Sequence, residues 1–466
     1  MAETKKKGLD ISARSFIVAI AVIFILMVLT YVLSFTIPGG SYVRTADENG
    51  NMVIDQAAGF IAVEGGIPFW KWILSPFLVL GASGSGTLFA VIVFLLVVGG
   101  VFNSLEKHGL MEYMLRWITH RFAAKRYQLL FVLSLFFMAA GALIGSFEEC
   151  VPLVPIVCAL AVSLGWDRLT GLGMSLLAVG FGFATGVCNP FTVGIAQELA
   201  GLPMFSGIWL RLVSFAVIYT LLQLFLRRHA KSVEQPVISG PQGGFSENPR
   251  MRRALICFAV ILGLGILAVL CSGFLTFLQD YTMIIIAVAF LAAGISSVLV
   301  SGVSGKALLK TFWDGLVSIL PAVLMILMAS SIKYTLEEAR VLDTILYGAV
   351  SIAESLPRWL VILFIYLIVL VMNFFVGSGS AKAFMLIPLI APLARLFGIS
   401  AQLSVVAFAY GDGFSNVFYP TNAALLISLG LADVSYGKWF RWTWKFQLLN
   451  LLTTSALLLF GLAVGY

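Results

Sequence analysis

Two short polar runs inside otherwise apolar sequence carry the residues best suited to chemistry. The run 145–150 reads GSFEEC and places Glu148 next to Glu149, and the run 377–382 reads GSGSAK and ends in Lys382. Ionised side chains within apolar segments are costly and usually serve a function. Carboxylates pair with ammonium or guanidinium groups, and an ammonium pairs with carboxylates. The two runs therefore predict a site for a small charged solute.

Two further segments combine glycine, proline and amide side chains. The first, 186–192, reads GVCNPFT, and the second comprises 411–416, GDGFSN, and 419–422, YPTN. Because proline removes a backbone donor and glycine tolerates unusual dihedrals, each segment is predicted to break a membrane helix. Exposed helix N-termini attract carboxylates, and C-termini attract cations. The predicted substrate-binding residues are Ser146, Glu148, Glu149, Asn189, Thr192, Ser378, Ser380, Lys382, Asp412, Asn416, Thr421 and Asn422.

The same residues also have structural interpretations, which the sequence leaves open. The two glutamates and Lys382 could form a static charge cluster that holds the two runs together. The three asparagines of the set could cap the broken helices. Asp412, beside Gly413 in the second break, fits capping and ligand binding equally well.

Other polar and aromatic residues are predicted to lie at the periphery. Side chains near segment ends usually extend toward the membrane interface, which is the prediction for Lys333 and Arg395. Interfacial anchoring is predicted for Trp209, Arg211, Trp439 and Arg441. The histidines fall in loops and are predicted to be solvated: His108, His120 and His229.

The chain repeats itself at an offset of 230 to 233 residues. Identical residues at matching positions of the two copies include Gly180 and Gly411, Gly182 and Gly413, Pro190 and Pro420, Trp209 and Trp439, and Arg211 and Arg441. Paired interruptions at corresponding positions of two halves are a pointer to a transporter's binding site. The predicted organisation is a first inverted repeat over 1–227, a cytoplasmic linker with an extra transmembrane helix over 228–280, and a second inverted repeat over 281–466.

Composition predicts a polytopic membrane protein. Of 466 residues, 60% are apolar and 11% are charged, and the formal net charge is +7. Because the basic residues cluster in a few loops, they indicate membrane orientation and not nucleic-acid binding. The five cysteines show no metal-binding spacing, and no nucleophile–base pair or phosphate-binding loop is visible, so an enzyme is not predicted.

Nine crossings are predicted from the apolar runs. Seven runs are uninterrupted, at 15–37, 85–103, 207–227, 254–273, 281–300, 316–334 and 446–465, and two carry breaks, near 170–200 and 402–429. The stretches 128–164 and 359–397 are too long for one crossing, and each is predicted to be a re-entrant hairpin of two short helices meeting in mid-membrane. The amphipathic stretches 105–122 and 336–352 are predicted to lie along the membrane faces.

Loop charges orient these crossings. Basic residues precede the first span at Lys5, Lys6 and Lys7 and fill segments 105–126, 228–253, 301–311 and 430–445, whereas 38–68 and 335–358 are acidic. The positive-inside rule then places the N-terminus in the cytoplasm and the C-terminus outside. In this arrangement the first hairpin opens toward the cytoplasm and the second toward the outside, so the two repeats are inverted.

Several of these motifs together resemble those of the YfcC family. They are GFAT followed by NPFTVGIAQ (182–197), the EE pair (148–149), NFFV leading into SGS (373–380), and GDGFS followed by YPT (411–421). The resemblance covers essentially the whole chain. It implies an all-α polytopic membrane protein of the ion-transporter superfamily, grouped with DcuC-type carriers, in which inverted repeats each hold a re-entrant hairpin and a broken transmembrane helix. It also implies a homodimer in the bacterial inner membrane that works by an elevator mechanism.

The function predicted is secondary active transport of an amino acid, by exchange or by coupling to H⁺ or Na⁺. Some relatives exchange arginine for ornithine and DcuC-type relatives move dicarboxylates, so transport of a C4-dicarboxylate or another organic anion is the alternative, and a channel is an alternative of another class. Lys382 stands where the family resemblance implies a neutral residue, and it would serve the anion. A coupling Na⁺ is predicted near Gly145, Asn189, Gly377 and Asn416. No cofactor and no nucleic-acid partner are predicted.

Overall fold

The computed structural model describes residues 13–46, 52–54, 59–82, 85–236, 248–272, 281–353 and 355–466. Within these ranges the chain is predominantly helical, with four short strands. The basic residues before the first span, and Asp47, Glu48 and Asp55 of the acidic loop, lie outside the described residues.

The first half runs from an N-terminal helix through a small extramembrane region into the first hairpin and the first broken helix. Its elements are α1 (Ala13–Thr36), β1 (Gly40–Tyr42), β2 (Arg44–Ala46), β3 (Met52–Ile54), β4 (Phe60–Ala62), α2 (Phe69–Ile73), α3 (Ser75–Leu78), α4 (Ser85–Lys107), α5 (Leu110–Phe122), α6 (Arg126–Ile144), α7 (Val154–Ser163), α8 (Arg168–Leu172), α9 (Ala178–Thr185), α10 (Ile195–Leu199) and α11 (Ile208–Ser232). Tighter or wider turns extend several of them, with 3₁₀ geometry at Val79–Gly81, Ala123–Lys125 and Glu148–Leu153 and π geometry at Gly173–Leu177 and Pro190–Gly194.

The second half is entirely helical in its described residues. Its elements are α12 (Pro249–Ser272), α13 (Thr282–Val300), α14 (Gly305–Ser318), α15 (Leu320–Glu338), α16 (Leu342–Ala353), α17 (Arg358–Phe375), α18 (Gly379–Leu396), α19 (Ala401–Asn416), α20 (Ala423–Leu431) and α21 (Tyr436–Ala463).

Helix boundaries repeat at nearly the spacing of the sequence repeat. The ends of α4 and α15, of α6 and α17, of α9 and α19, and of α11 and α21 are each 231 positions apart. The short amphipathic helices α5 and α16 follow α4 and α15 in the same way. The two halves therefore share one order of elements: a long helix, a surface helix, a hairpin, an interrupted helix and a final long helix.

Eight described helices are long and apolar enough to cross a bilayer. They are Leu88–Lys107, Arg126–Ile144, Arg168–Thr185, Ile208–Ser232, Pro249–Ala268, Arg358–Phe375, Gly379–Leu396 and Tyr436–Ala463. This result establishes a multi-pass membrane protein.

The arms of the second hairpin are longer than predicted from sequence. Helices α17 and α18 have 18 residues each, instead of forming two short helices. At 1.5 Å per residue each arm is about 27 Å long, close to the hydrocarbon thickness of a bilayer. The prediction of short arms is therefore wrong for this hairpin, and also for the first arm of the first hairpin, since α6 has 19 residues. Pro388 and Pro392 lie inside α18 without ending it.

The second interrupted helix also differs from the sequence prediction. Helix α19 continues without a break through Gly411, Asp412 and Gly413 and ends at Asn416. The two glycines allow close packing and do not break the helix, because a Cβ on Gly411 would lie 2.6 Å from the Cβ of Val369 and one on Gly413 would lie 2.2 Å from the Cα of Ala184. The interruption is confined to 417–422.

Polar contacts between chain segments gather the helix ends into two groups. One group joins the base of the first hairpin to the ends of α11 and α20, through the pairs Arg126–Glu234, Asp167–His229 and Arg168–Asp433. The other joins the base of the second hairpin to the segment before α11 and to the C-terminus, through Arg358 with the Gly398 carbonyl, Arg395 with the Ala200 carbonyl, and Ser400 with the Tyr466 carbonyl. The two groups lie at opposite ends of the interrupted helices.

The extramembrane strands dock on the surface helix α16. Strand β1 pairs with β4 and β2 pairs with β3, both antiparallel. The Asp343 carboxylate accepts two hydrogen bonds from the Arg44 guanidinium, at 2.7 and 2.8 Å, and one from the Tyr42 backbone at 3.0 Å. Burial and the Asp343 carboxylate raise the pKa of Tyr42 to about 12. The loops 38–68 and 335–358 therefore lie on one face, as their shared acidity predicts.

Three peripheral predictions are wrong. Arg211 is fully buried and donates to the Phe205 and Ser206 carbonyls at 3.0 Å, and Trp439 is fully buried with its indole N–H on the Val417 carbonyl. Both side chains satisfy carbonyls of non-helical segments, which draws them inward. His229 is paired with Asp167 at 3.1 Å. Burial acts to raise the pKa of Asp167, but hydrogen bonds from His229 and Thr170 lower it overall.

The two groups of helix ends lead to a labelling prediction. In a background without the five native cysteines, Ser232→Cys and Ser355→Cys are conservative changes at exposed positions of the two opposite groups. We expect a membrane-impermeant maleimide to reach them from opposite faces of intact cells and inverted vesicles. Lys438→Cys, an exposed position near Asp433, is the control and should label with Ser232→Cys. Labelling of the positions 232 and 355 from one face would contradict the inverted arrangement.

Candidate substrate site

The first hairpin turns at a glycine that the local geometry requires. Helix α6 ends at Ile144, and Gly145 caps it with φ of 78°, in the left-handed region that disfavours other residues. A Cβ at this position would lie 2.3 Å from the Asn189 Oδ1 atom, so the tip also packs tightly on the first helix break. Ser146 is buried at the turn, and Glu148 and Glu149 follow at the start of the 3₁₀ turn, half-buried.

The first helix break lies where the sequence predicts it, at 186–189. Gly186 ends α9 with φ of 51°, and the Cys188 backbone N–H donates to the Ala142 carbonyl at 3.0 Å, which joins the break to the end of α6. Asn189 is fully buried, and its Oδ1 atom accepts from the Phe191 backbone at 3.0 Å. Two buried polar atoms here have no hydrogen-bond partner among the described residues, Asn189 Nδ2 and Thr192 Oγ1.

The second hairpin presents the N-terminus of a long helix. Ser378 caps α18 by accepting from the Ala381 backbone at 3.4 Å, and its hydroxyl lies 3.4 Å from that of Ser380. The tip contacts the first break, because a Cβ on Gly379 would lie 2.7 Å from the Thr192 Cγ2 atom. The two hairpin tips are therefore connected through the first break.

The second break is organised by amide side chains. Asn422 caps α20 by accepting from the Leu425 backbone at 3.0 Å, and its Nδ2 donates to the Asn416 Oδ1 atom at 3.2 Å. Asn416, the last residue of α19, also accepts from Asn373 Nδ2 at 2.9 Å. The capping interpretation is therefore confirmed for Asn422, while Asn416 joins a wider network.

A fully buried ion pair lies behind the second hairpin tip. Lys382 and Asp412 both have no exposed surface, and the ammonium lies 2.5 Å from Asp412 Oδ1. The ammonium also donates to the Asn373 Oδ1 atom. Asn373 in turn donates to the Asp412 carbonyl at 3.0 Å and to the Ser415 hydroxyl at 2.6 Å. Of the alternatives that the sequence left open for Lys382, a static cluster with the two glutamates or a place facing the solute, the structure has neither, because the ammonium pairs with Asp412.

A cavity of about 640 Å³ lies between the hairpin tips and the long helices. Eight of the twelve predicted substrate-binding residues line it: Glu148, Glu149, Thr192, Ser378, Ser380, Asn416, Thr421 and Asn422. Four do not: Ser146, Asn189, Lys382 and Asp412. The cavity volume falls within the range of about 300–1,000 Å³ typical of small-molecule sites.

The opposite wall of the cavity comes from α4, α13 and α15, and it carries residues that the sequence analysis did not select. Lys333, Tyr334 and Glu337 of α15 line the cavity together with Ser330. Lys333 pairs with Glu337 at 3.1 Å, so the prediction that Lys333 extends to the interface is wrong. Counting ionisable side chains over the whole cavity lining, three carboxylates (Glu148, Glu149 and Glu337) and one ammonium (Lys333) give a formal charge of −2.

Asn373 is the other residue that sequence reasoning passed over as a site residue, although it opens the NFFV motif. In the sequence, Asn373 is an amide inside a mainly apolar helix of 18 residues, where burial of its side chain without hydrogen-bond partners would cost free energy. That pattern could have marked it as part of a polar network. Among the described residues, no group of three or more His, Cys, Asp and Glu side chains could hold a metal ion. The Na⁺ site predicted near the breaks stays a prediction.

Apolar helices that span a membrane and a central cavity lined by polar residues define a multi-pass membrane transporter. A model of the C4-dicarboxylate anaerobic carrier family, DcuC, matches residues 16–463. The chain belongs to this family.

Its relatives among known proteins are transporters and not enzymes. The chain is 30% identical over 392 residues to the YfcC protein of Escherichia coli K12, named "Putative basic amino acid antiporter", and the match covers 77% of this chain and 75% of the relative. It is 25% identical over 376 residues to an uncharacterised protein of Haemophilus influenzae, covering 76% of this chain and 72% of the relative. The resemblance to the YfcC family is thereby confirmed.

Two solved structures of transporters are similar over nearly the full length. The YdaH transporter of Alcanivorax borkumensis is 18% identical with a TM-score of 0.45, and the match covers 97% of this chain and 99% of that one. The MtrF protein of Neisseria gonorrhoeae, from a class of antimetabolite efflux pumps, is 16% identical with a TM-score of 0.42, covering 96% and 94%.

The buried network predicts a large stability effect at Asn373. Replacing Asn373 with Ala removes the amide oxygen from the Lys382 ammonium and the amide donor from three acceptors. Hydrogen bonds to charged groups contribute about 1.5–3 kcal/mol, and buried groups left unpaired cost more. We expect destabilisation of about 3 kcal/mol, measured by thermal unfolding of the purified protein in detergent. Ser380→Ala, which removes a cavity-facing hydroxyl at the same tip, is the control and should change stability little. Equal stability of the two variants would contradict the role given to Asn373.

Proposed function

We propose that this transporter moves amino acids, with basic ones preferred, across the bacterial inner membrane by secondary active transport. The observation that carries the proposal is the charge of the whole cavity lining, where the three carboxylates of Glu148, Glu149 and Glu337 outnumber the one ammonium of Lys333. A cavity with an excess of carboxylates attracts cationic or zwitterionic solutes and repels dianions. The name of the YfcC relative, which describes a basic amino acid antiporter, agrees with this preference.

In the proposed complex, the two ends of an amino acid bind to different hairpins. Glu148 and Glu149 hold the side-chain ammonium or guanidinium group by charge-assisted hydrogen bonds. The α-carboxylate binds at the N-terminus of α18, where the serine hydroxyls of 378 and 380 line the cavity. Backbone N–H groups and the positive end of the helix dipole favour an anion there. Thr421 and Asn422 complete the polar shell.

The alternative is transport of a C4-dicarboxylate or another organic anion, and it depends on Lys382 as the cation that binds the anion. That side chain is fully buried and paired with Asp412, so it is not available to an anion in the cavity. The remaining cation on the wall, Lys333, is paired with Glu337. The family is described as C4-dicarboxylate carriers, so a dicarboxylate is included in the transport assay below. The charge balance of the cavity nevertheless favours the amino acid.

We further propose an elevator mechanism in a homodimer. The hairpin tips, both breaks and α19 are packed on one another through glycine contacts, which supports movement of this part as one body. The wall formed by α4, α13 and α15 belongs to the fixed part in this scheme. The two hairpins open toward opposite faces, with the N-terminus in the cytoplasm and the C-terminus outside. Coupling is by exchange or by H⁺ or Na⁺.

A transport assay tests the proposed substrate. Purified protein in proteoliposomes loaded with unlabelled arginine, lysine, glutamate or succinate is supplied with the corresponding labelled solute. We expect counterflow for arginine and lysine and none for succinate, because the cavity wall has an excess of negative charge. Counterflow of succinate with no basic amino acid transported would establish the dicarboxylate alternative. Solute flux without stimulation by internal solute would favour a channel.

Neutralising the hairpin carboxylates should abolish this activity. Glu148→Gln and Glu149→Gln keep the shape of each side chain and remove the charge that pairs with the substrate cation. We expect counterflow of basic amino acids to fall at least tenfold in each variant, with normal membrane insertion. Glu112→Gln is the matched control, since Glu112 is exposed on α5 and its ion pair with Arg116 at i+4 is a surface pair of the kind that contributes little. Full activity in both hairpin variants would show that these glutamates are structural.

A further inference from the structure

The buried ammonium of Lys382 has an environment that suits a free cation. It lies in the first turn of α18, has no exposed surface and contacts only oxygen atoms among its described polar partners, Asp412 Oδ1 at 2.5 Å and Asn373 Oδ1. Hard monovalent and divalent cations are bound in proteins by such carboxylate and carbonyl-type oxygens.

Two helix ends add to the negative potential at this point. Asn373 lies in the last turn of α17, which ends at Phe375, and Asp412 lies directly before the last turn of α19, which ends at Asn416. The C-terminal ends of helices carry a partial negative charge that favours cations. A carboxylate, an amide oxygen and two helix C-termini therefore converge where the ammonium lies.

The side-chain oxygen of Asn416, a residue near which Na⁺ was predicted, already accepts two hydrogen bonds. Its Oδ1 atom accepts from both Asn373 Nδ2 and Asn422 Nδ2 and so points its electron pairs at donors. The Asp412 carboxylate, by contrast, has no hydrogen-bond donor among the described residues apart from its ion-pair partner Lys382. Asp412 Oδ1 and Asn373 Oδ1 therefore already surround one cation, the lysine ammonium.

We propose that the Lys382 ammonium occupies a monovalent-cation site at the second hairpin, as a tethered replacement for a free Na⁺ ion. The fixed charge neutralises Asp412 throughout, so this hairpin needs no ion from solution. For the proposed transport function, on which this consequence rests, no cation-binding step then arises at the second hairpin. Any ion coupling comes from the first half, and otherwise the carrier exchanges solutes.

Removing the ammonium should convert the tethered site into a free one. Lys382→Met keeps an unbranched apolar stem and leaves the Asp412 carboxylate buried without a counter-charge, an arrangement that strongly destabilises proteins. We expect the purified variant to unfold at a lower temperature than the wild type in choline chloride. Na⁺ should raise its Tm progressively with concentration, because a ligand that binds only the folded state stabilises it.

The double variant Lys382→Met/Asp412→Asn is the matched control, because it removes both charges. Its Tm should respond to Na⁺ no more than that of the wild type, which also corrects for Na⁺ bound elsewhere. Lys382→Ala gives more room for an ion and repeats the test independently. Measurements in NaCl, KCl, LiCl and choline chloride at constant ionic strength separate specific binding from screening.

The proposal is overturned if no metal cation stabilises either single variant more than the wild type. It is also overturned if only acidification restores stability, since the carboxylate would then accept a proton and not an ion, or if both single variants fail to fold in every salt. These measurements use no substrate, so they are independent of the transport assay. Counterflow of succinate alone would remove the proposed substrate and leave the cation site standing.

Discussion

Close approach of three helices is the constraint on which the site depends. Helices α6, α9 and α19 meet through glycines: a Cβ on Gly182 would lie 1.8 Å from the Met138 carbonyl oxygen, and one on Gly141 would lie 2.1 Å from that of Val179. Gly413 meets the Ala184 backbone in the same way. Any side chain at these positions would separate the helices. Their contact brings the end of α6, the end of α9 and the end of α19 to one depth, where the cavity forms.

The electrostatics of the site follow from which charges this packing buries. Lys382 and Asp412 are enclosed together, and removing two charges from water is tolerable only because each has the other and Asn373 supplies a hydrogen bond. Glu148 and Glu149, at the other tip, remain beside the cavity. The sequence offered two carboxylates and one ammonium as a single cluster. The fold instead neutralises the ammonium internally, and the two glutamates line the cavity.

Sequence reasoning located the elements more reliably than the contacts between them. The repeat, the apolar runs and the break at 186–189 could be predicted because glycine, proline and hydrophobic length act locally. The helix through Gly411 and Gly413 could not, because glycine serves both breaks and close packing, and only the neighbour Ala184 distinguishes the two. The surroundings of Lys333 and Asp412 could not be predicted for a similar reason. Whether a charged side chain faces a cavity, lipid or a buried partner is set by residues far away in the chain.

The two halves share a backbone requirement and differ in chemistry. Glycines flank Phe181 in the first half and Asp412 in the second, at corresponding positions of the repeat. Phe181 packs against Phe414 and Phe446, with ring centroids 5.1 and 5.3 Å away, whereas Asp412 is paired with Lys382. In both halves a Cβ at either glycine would lie within 2.6 Å of a neighbouring segment, so both copies require close packing there. The residue between the glycines is an aromatic ring in one half and a charged side chain in the other. A repeated chain can thus keep the same close packing in both halves, while among the described residues only the first hairpin lines the cavity with carboxylates.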